Sequence, residues 1–223
     1  MLLAIDSATR KIGIALYNGV EVLHEAVWSS KNRHSVELSP AIESALERAG
    51  HQITDLEVIG VAVGPGSYTG LRIGMAVAKG IALARHIPLV GVSTFDILST
   101  AQLIDPNNKL AVVLEAGRKR ISANMYQVKA GAWVQMDEPD IYTPEKFAAA
   151  IQEPTLVCGE LSEEAQKLVL SKNKNIVLVS PALGLRRPAY LAELAWARWK
   201  AGETDDPASL FPKYLQTGDN IPA

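Results

Sequence analysis

The sequence has 223 residues and a single cysteine, Cys158, so it admits no internal disulfide and no multi-thiolate metal site. Without a disulfide framework, a reducing cytoplasm is the expected compartment. Histidine is also scarce. His24, His34, His51 and His86 are widely scattered, and no H-E-x-x-H pair occurs, which argues against a zinc-protease site. An excess of either charge is missing too, with 22 Lys+Arg against 24 Asp+Glu and a formal net charge of −2. A protein that grips nucleic acid alone usually shows a basic excess, because phosphate contacts supply most non-specific affinity. Long apolar runs are lacking as well. The N-terminal run MLLAI stops at Asp6, too short for a signal peptide, and Leu71–Val92 is broken by Arg72, Lys79, Arg85 and His86. No membrane segment is therefore expected. What remains, 48% hydrophobic and 21% charged residues, is the composition of a folded globular chain.

The pattern along the chain is strands first, then alternating helix and strand. LLAID, IGIALY and VEVLHEAVW read as three strands, with Asn18-Gly19 as a hairpin turn between the second and third. VELSPAIESALERAG has apolar residues at helical spacing and Gly50 at its end. A start cap at Ser35 suits this helix. LEVIGVAV is apolar almost throughout, as a central parallel strand should be. GPGSYTG (64–70) then leads into the helix LRIGMAVAKGIALARH, where Gly70, Gly74, Ala78 and Ala82 form a stripe of small residues. That helix is apolar on nearly every side, so both its faces need covering. PLVGVS reads as a strand and FDILSTAQLI as a helix, closed by the turn Asp105-Pro106-Asn107-Asn108.

After that turn the pattern restarts. KLAVVLEA, ISANMYQV and GAWVQMD echo the opening three strands, pointing to a duplicated unit. TPEKFAAAIQ, TLVCG, EEAQKLVLS and IVLV continue as helix, strand, helix and strand. A final helix follows in PAYLAELAWARWKAG, and then an extended tail, DDPASLFPKYLQTGD. The expected architecture is a two-lobed mixed α/β fold, with lobes at 1–104 and 105–223 and the last helix in the second.

Residues suited to chemistry are few. GPGSYTG follows a buried strand and opens a helix, where free N–H groups favour an anion. The alternative is that Gly64 and Gly66 merely permit a tight turn and close packing. The segment is not a P-loop, and three residues rather than two separate Gly66 from Gly70, which breaks the dinucleotide fingerprint. Asp6, Gly64, Gly66, Ser67 and Gly70 are thus a candidate phosphate or nucleotide loop. For Asp6, with Ser7 and Thr9 behind it, an Asx or Ser/Thr turn is the competing role. Glu115 holds the corresponding place in the repeat. Arg118, Lys119 and Arg120 read as a solvated hairpin turn, and Cys158 as a small buried hydrophobe. Neither Ser67 nor Ser93 sits in a G-x-S-x-G elbow, and His34-Ser35 are adjacent residues that rarely face one another. No catalytic set stands out.

AIDSAT, the block GPGSYTGLRIGMAVAKGIAL, then PLVGVST, and FPKYLQ in the tail together resemble the TsaB family, older name YeaZ. This bacterial family serves the machinery that places threonylcarbamoyl on the tRNA adenosine next to the anticodon. The resemblance extends over essentially the whole chain. It implies the duplicated actin-like ATPase (ASKHA, ribonuclease H-like) fold with mixed sheets. It also implies a non-catalytic subunit that binds and activates the transferase TsaD, joined by the P-loop ATPase TsaE, with tRNA held only through the complex. Alone, the chain would pair with a second copy. In TsaD-like proteins a His-x-x-x-His pair binds metal; alignment puts Thr94 and Leu98 there, and neither replaces an imidazole ligand. The resemblance therefore implies no metal, no tightly bound cofactor, and a nucleotide at most at the partner interface. Two smaller departures are Glu115, where relatives tend to carry Asp, and the short KAGAWVQ hairpin. The partner-binding helices carried over contribute Ser35, Leu38, Ile42, Leu46, Gly70, Arg72, Gly74, Ala78 and Ala82. Two rival readings are an ATP-binding phosphotransferase or hydrolase using Asp6 and the glycine loop, and a peptidase acting on TsaD.

Overall fold

The computed structural model describes residues 1–31, 33–117 and 119–215, so Arg118 and the end of the tail lie outside the described residues. In chain order the strands are β1 (Leu2–Asp6), β2 (Lys11–Tyr17), β3 (Val22–Ser29), β4 (Val58–Gly64), β5 (Leu89–Ser93), β6 (Lys109–Glu115), β7 (Ile121–Lys129), β8 (Ala132–Gln135), β9 (Asp140–Tyr142), β10 (Thr155–Gly159) and β11 (Ile176–Leu178). The helices are α1 (His34–Arg48), α2 (Tyr68–Arg85), α3 (Thr94–Thr100), α4 (Pro144–Ala150), α5 (Glu163–Lys172) and α6 (Pro188–Lys200).

Two mixed sheets form, ordered β3-β2-β1-β4-β5 and β8-β7-β6-β10-β11. In the first, β1–β2 and β2–β3 are antiparallel, whereas β1–β4 and β4–β5 are parallel. The second repeats this arrangement strand for strand, with β6 in the place of β1 and β10 in that of β4. The duplication read from the sequence is therefore present in the hydrogen-bond ladders. The short β9, which pairs with Ile121–Ala123 of β7, has no counterpart in the first sheet and lacked a sequence signal.

The chain divides into two compact units, and the expected boundary needs correction. Unit 1 comprises Met1–Ile97 with Arg186–Lys213, and unit 2 contains Leu98–Leu185. The division falls inside α3 rather than at Asp105-Pro106, and the final helix belongs to unit 1. Its reason is packing: Leu191, Ala192 and Ala195 of α6 are fully buried against Leu2, Ala4, Val58, Ala62 and Val90 of the first sheet. On the opposite face, Leu38, Ala45, Met75, Ala78 and Ala82 of α1 and α2 close over Leu3, Ile5, Ile14, Ile59 and Val61. Unit 1 is thus a sheet with helices on both faces, which is why β4 is buried along its whole length. Each such Leu or Ile contributes about 1.5–3 kcal/mol by leaving water. The Asp105 turn is instead local: its carboxylate accepts from the Asn107 N–H at 2.9 Å and from Asn108 Nδ2 at 2.7 Å. Those bonds, the one from Asn108 first, hold the Asp105 pKa below the ordinary value.

In unit 2, α4 and α5 cover one sheet face through Phe147, Ala148 and Val169 on Ala111, Val113, Ala123 and Val157. Cys158 is buried in β10 as a small apolar residue. The sequence predicts an extended tail; residues 205–213 pack on unit 1 but make a turn, with the Leu210 N–H donating to the Asp206 carbonyl at 2.9 Å. Asp205 bridges to Leu89, and the Lys213 N–H donates to the Val63 carbonyl at 2.7 Å.

Candidate functional site

The first candidate is the glycine loop around Asp6. Its members do come together, but they bind one another. Asp6 is 1% exposed and Arg186 2%. Arg186 Nε donates to Asp6 Oδ2 at 2.8 Å, and Nη2 donates to Thr9 Oγ1 at 3.0 Å and to the Lys11 carbonyl at 3.1 Å. The other Asp6 oxygen accepts from the Ala8 N–H at 2.9 Å, which is the Asx turn that sequence reasoning set against a phosphate role. Sequence alone missed Arg186 altogether, because 180 residues separate it from Asp6.

Two of the loop's amides, those of Ser67 and Gly70, and its glycines are similarly occupied. The Ser67 N–H donates to the Ala8 carbonyl at 2.6 Å, while Ser67 Oγ caps α2 by accepting from the Gly70 N–H. Ser7 Oγ donates to the Gly70 carbonyl at 2.8 Å. A Cβ at Gly66 would fall 2.1 Å from the Ala8 carbonyl oxygen, and one at Gly74 would fall 2.1 Å from Ser7 Oγ. These two glycines let the start of α2 press against the turn between β1 and β2. Gly64 lies beside the Lys213 carbonyl under the tail.

Other sequence candidates disperse. His34 is buried with Nε2 at 2.9 Å from the Thr9 carbonyl, and Ser35 is exposed. Ser35 is not the cap of α1, a correction to the sequence reading: the helix already starts at His34, and Ser30 Oγ accepts the Arg33 N–H at 3.0 Å. Thr94 is fully buried at the start of α3, with no hydrogen-bond partner for its hydroxyl among the described residues, and Leu98 is buried one turn later. Among the described residues, no group of three or more His, Cys, Asp or Glu side chains is placed to hold a metal ion. Glu115 is exposed at the end of β6. Burial pushes the Cys158 thiol up to about 12, leaving it protonated and inert near neutral pH.

The second candidate lies on the outside of α1 and α2. Between these helices runs a groove of about 610 Å³, with Ile42 and Leu46 on one wall and Val77 and Ile81 on the other. Ile53 and Gln52 close one end. That end is fixed by a turn in which Asp55 accepts from the Gln52 N–H at 2.9 Å and lies 3.2 Å from His51 Nδ1. These contacts, the backbone one first, hold the Asp55 pKa below its ordinary value. Arg85 of α2 donates to the Thr54 carbonyl at 3.0 Å and ties the second helix to the same turn.

This geometry also corrects the residues assigned to partner binding. Ile42 and Leu46 do line the groove, and Ser35 and Arg72 are exposed, Arg72 stacking 3.8 Å over the Tyr68 ring. Leu38, Gly70, Gly74, Ala78 and Ala82 instead face the protein's own sheet and are buried there. The small-residue stripe serves internal packing; the open face of α2 is its neighbour, with Val77, Gly80 and Ile81.

Comparison with known proteins agrees with this fold. The family description TsaD, tRNA N6-adenosine threonylcarbamoyltransferase, matches residues 21–185. A hexokinase of the ROK type from Thermus thermophilus superposes with a TM-score of 0.50 at 12% identity, covering 90% of this chain and 99% of that one. YeaZ from Pseudomonas aeruginosa superposes with a TM-score of 0.79 at 24% identity, covering 96% of this chain and 99% of that one. The chain thus shares the fold of these two proteins, a duplicated α/β fold with two mixed sheets. The tRNA threonylcarbamoyladenosine biosynthesis protein TsaB of Bacillus subtilis (strain 168) is 36% identical over 222 residues, which is 98% of this chain and 95% of that protein. The chain belongs to the TsaB family. Among the described residues, no helix is long and apolar enough to cross a membrane.

Proposed function

We propose that this chain is the non-catalytic subunit of the cytoplasmic apparatus that transfers threonylcarbamoyl to the tRNA adenosine next to the anticodon. It binds the transferase TsaD through the groove between α1 and α2 and holds it in an active arrangement. The P-loop ATPase TsaE engages the assembled pair, and tRNA is gripped by the complex, in keeping with a net charge of −2. Any nucleotide sits at the partner interface.

The observation supporting this reading is the groove itself: aliphatic walls on two neighbouring helices, open to solvent and anchored at one end by the Asp55 turn. Such a surface suits a helix laid along it. The Asp6 site counts against the phosphotransferase rival, because Arg186 already neutralises the carboxylate a bound cation would need.

The test is reconstitution of the purified chain with cognate TsaD, TsaE and tRNA. Threonylcarbamoyl transfer should require the chain and should be lost with Gly80→Trp, which fills the groove from a position where a new Cβ meets nothing within 4 Å. Full transfer without the chain would overturn the proposal.

A further inference from the structure

β5 is the outermost strand of the first sheet and, among the described strands, pairs with β4 alone. Its sequence, LVGVS, holds no charge and no proline, so nothing in the strand itself discourages a further strand from adding there. The cover comes from a later part of the same unit. The Asp205 N–H donates to the Leu89 carbonyl at 2.8 Å, and the Gly91 N–H donates to Asp205 Oδ2 at 2.7 Å. Arg198 Nη1 donates to the Gly91 carbonyl and lies 3.6 Å from the same Asp205 oxygen. An ion pair thus takes the place of a neighbouring strand and meets both outward polar groups of Gly91.

The segment closes this edge without making another. After the single bridge at Asp205 it turns, with the Ser209 and Leu210 N–H groups donating to the Asp206 carbonyl at 3.1 and 2.9 Å. Leu210 then comes down on Gly91, where an added Cβ would fall 3.1 Å from Leu210 Cδ1. Arg198 and Asp205 keep 37% and 28% of their side-chain surface exposed, so their mutual attraction contributes little to folding and can open locally.

We infer that residues 203–213 are a strap over a strand-accepting edge, and that the strand which the unstrapped edge takes is β5 of a second copy of this chain. Two β5 edges related by a two-fold axis run antiparallel, so the outward groups of each find partners in the other and no foreign sequence is needed. Closed, the strap keeps the chain from associating through its sheet. Opened, it joins two five-stranded sheets into one.

The full chain carrying Arg198→Met with Asp205→Ala is compared with the natural chain by sedimentation and amide hydrogen exchange, from ~1 µM to ~1 mM. At the lowest concentration the Gly91 amide should exchange about tenfold faster in the variant, having lost its bond to a carboxylate. As concentration rises, the variant's mean mass should climb above that of the natural chain, and protection should return at Gly91. Arg198→Met alone frees the Gly91 carbonyl and keeps the Asp205 bond; it should show a smaller rise in mass, and it serves if the double variant folds poorly. Unchanged exchange at Gly91 in the double variant would mean that Arg198 and Asp205 do not seal the edge. Faster exchange with no gain in mass, or a gain in mass while Gly91 stays fast, would mean that the open edge takes no second copy. Each of these results overturns the inference.

Discussion

Replacing Arg186 by Met removes a cation from a buried site. Arg186 makes hydrogen bonds to Asp6 Oδ2, Thr9 Oγ1 and the Lys11 carbonyl, and both charges are almost fully enclosed. The variant leaves the Asp6 carboxylate buried, with the Ala8 N–H as its remaining partner among the described residues. Breaking one side of such a pair costs about 3–5 kcal/mol, because the surviving charge stays out of water. For a chain of this size that lowers Tm by roughly 6–20 °C. Adding Asp6→Asn removes the stranded charge. The double variant should therefore lose less than the two single losses combined, with a coupling of about 1–3 kcal/mol. Urea unfolding followed by tryptophan fluorescence reads this unit directly, since Trp196 and Trp199 pack in the same α6 layer of unit 1. A loss below about 1 kcal/mol for Arg186→Met would refute the reasoning. It would mean that Asp6 does not depend on Arg186 and is available for nucleotide chemistry. Calorimetry with ATP and Mg²⁺ on the isolated natural chain should then show binding that Asp6→Ala removes.

Two glycine positions on α2, six residues apart, should respond with opposite sign. Gly74→Ala drives a methyl into Ser7 Oγ and should cost about 1–3 kcal/mol, whereas Gly80→Ala meets open space and should gain about 0.5–1 kcal/mol; thermal denaturation of both variants checks this. Cys158 should resist alkylation by a thiol reagent until unit 2 opens. Its folded pKa is raised from about 9 to about 12, so the unfolded chain releases the thiol proton first. Its contribution to stability is therefore complete below about pH 9 and disappears as pH rises towards 12, which denaturant titrations at increasing pH, with Cys158→Ala as reference, would reveal.

Much of the fold was legible because the hydrophobic periods of 2 and 3.6 are undisturbed. LLAID became β1 at the same residues, and the repeat KLAVVLEA–ISANMYQV–GAWVQMD became β6, β7 and β8. The lobe boundary was not legible. A proline turn at Asp105 looks like a linker locally, while the affinity of α6 for the first sheet depends on Leu191 and Ala195 meeting residues more than a hundred positions earlier. The site was half legible. A stripe of small residues on α2 signals close approach without naming the neighbour, and the neighbour is Ser7 rather than a partner. The groove emerges only when α1 and α2 are set side by side, since Val77 and Ile81 look like core residues in isolation. Arg186 gave no signal because an arginine before a proline-led helix reads as solvated.

Docking at the α1–α2 groove is tested most directly by amide hydrogen exchange of the full chain with and without cognate TsaD. Binding there predicts slowed exchange in residues 39–53 and 77–84, with the β6–β8 hairpins of unit 2 unchanged. Protection confined to unit 2, or to the Asp6 loop, with the groove helices exchanging as in the free chain, would contradict it.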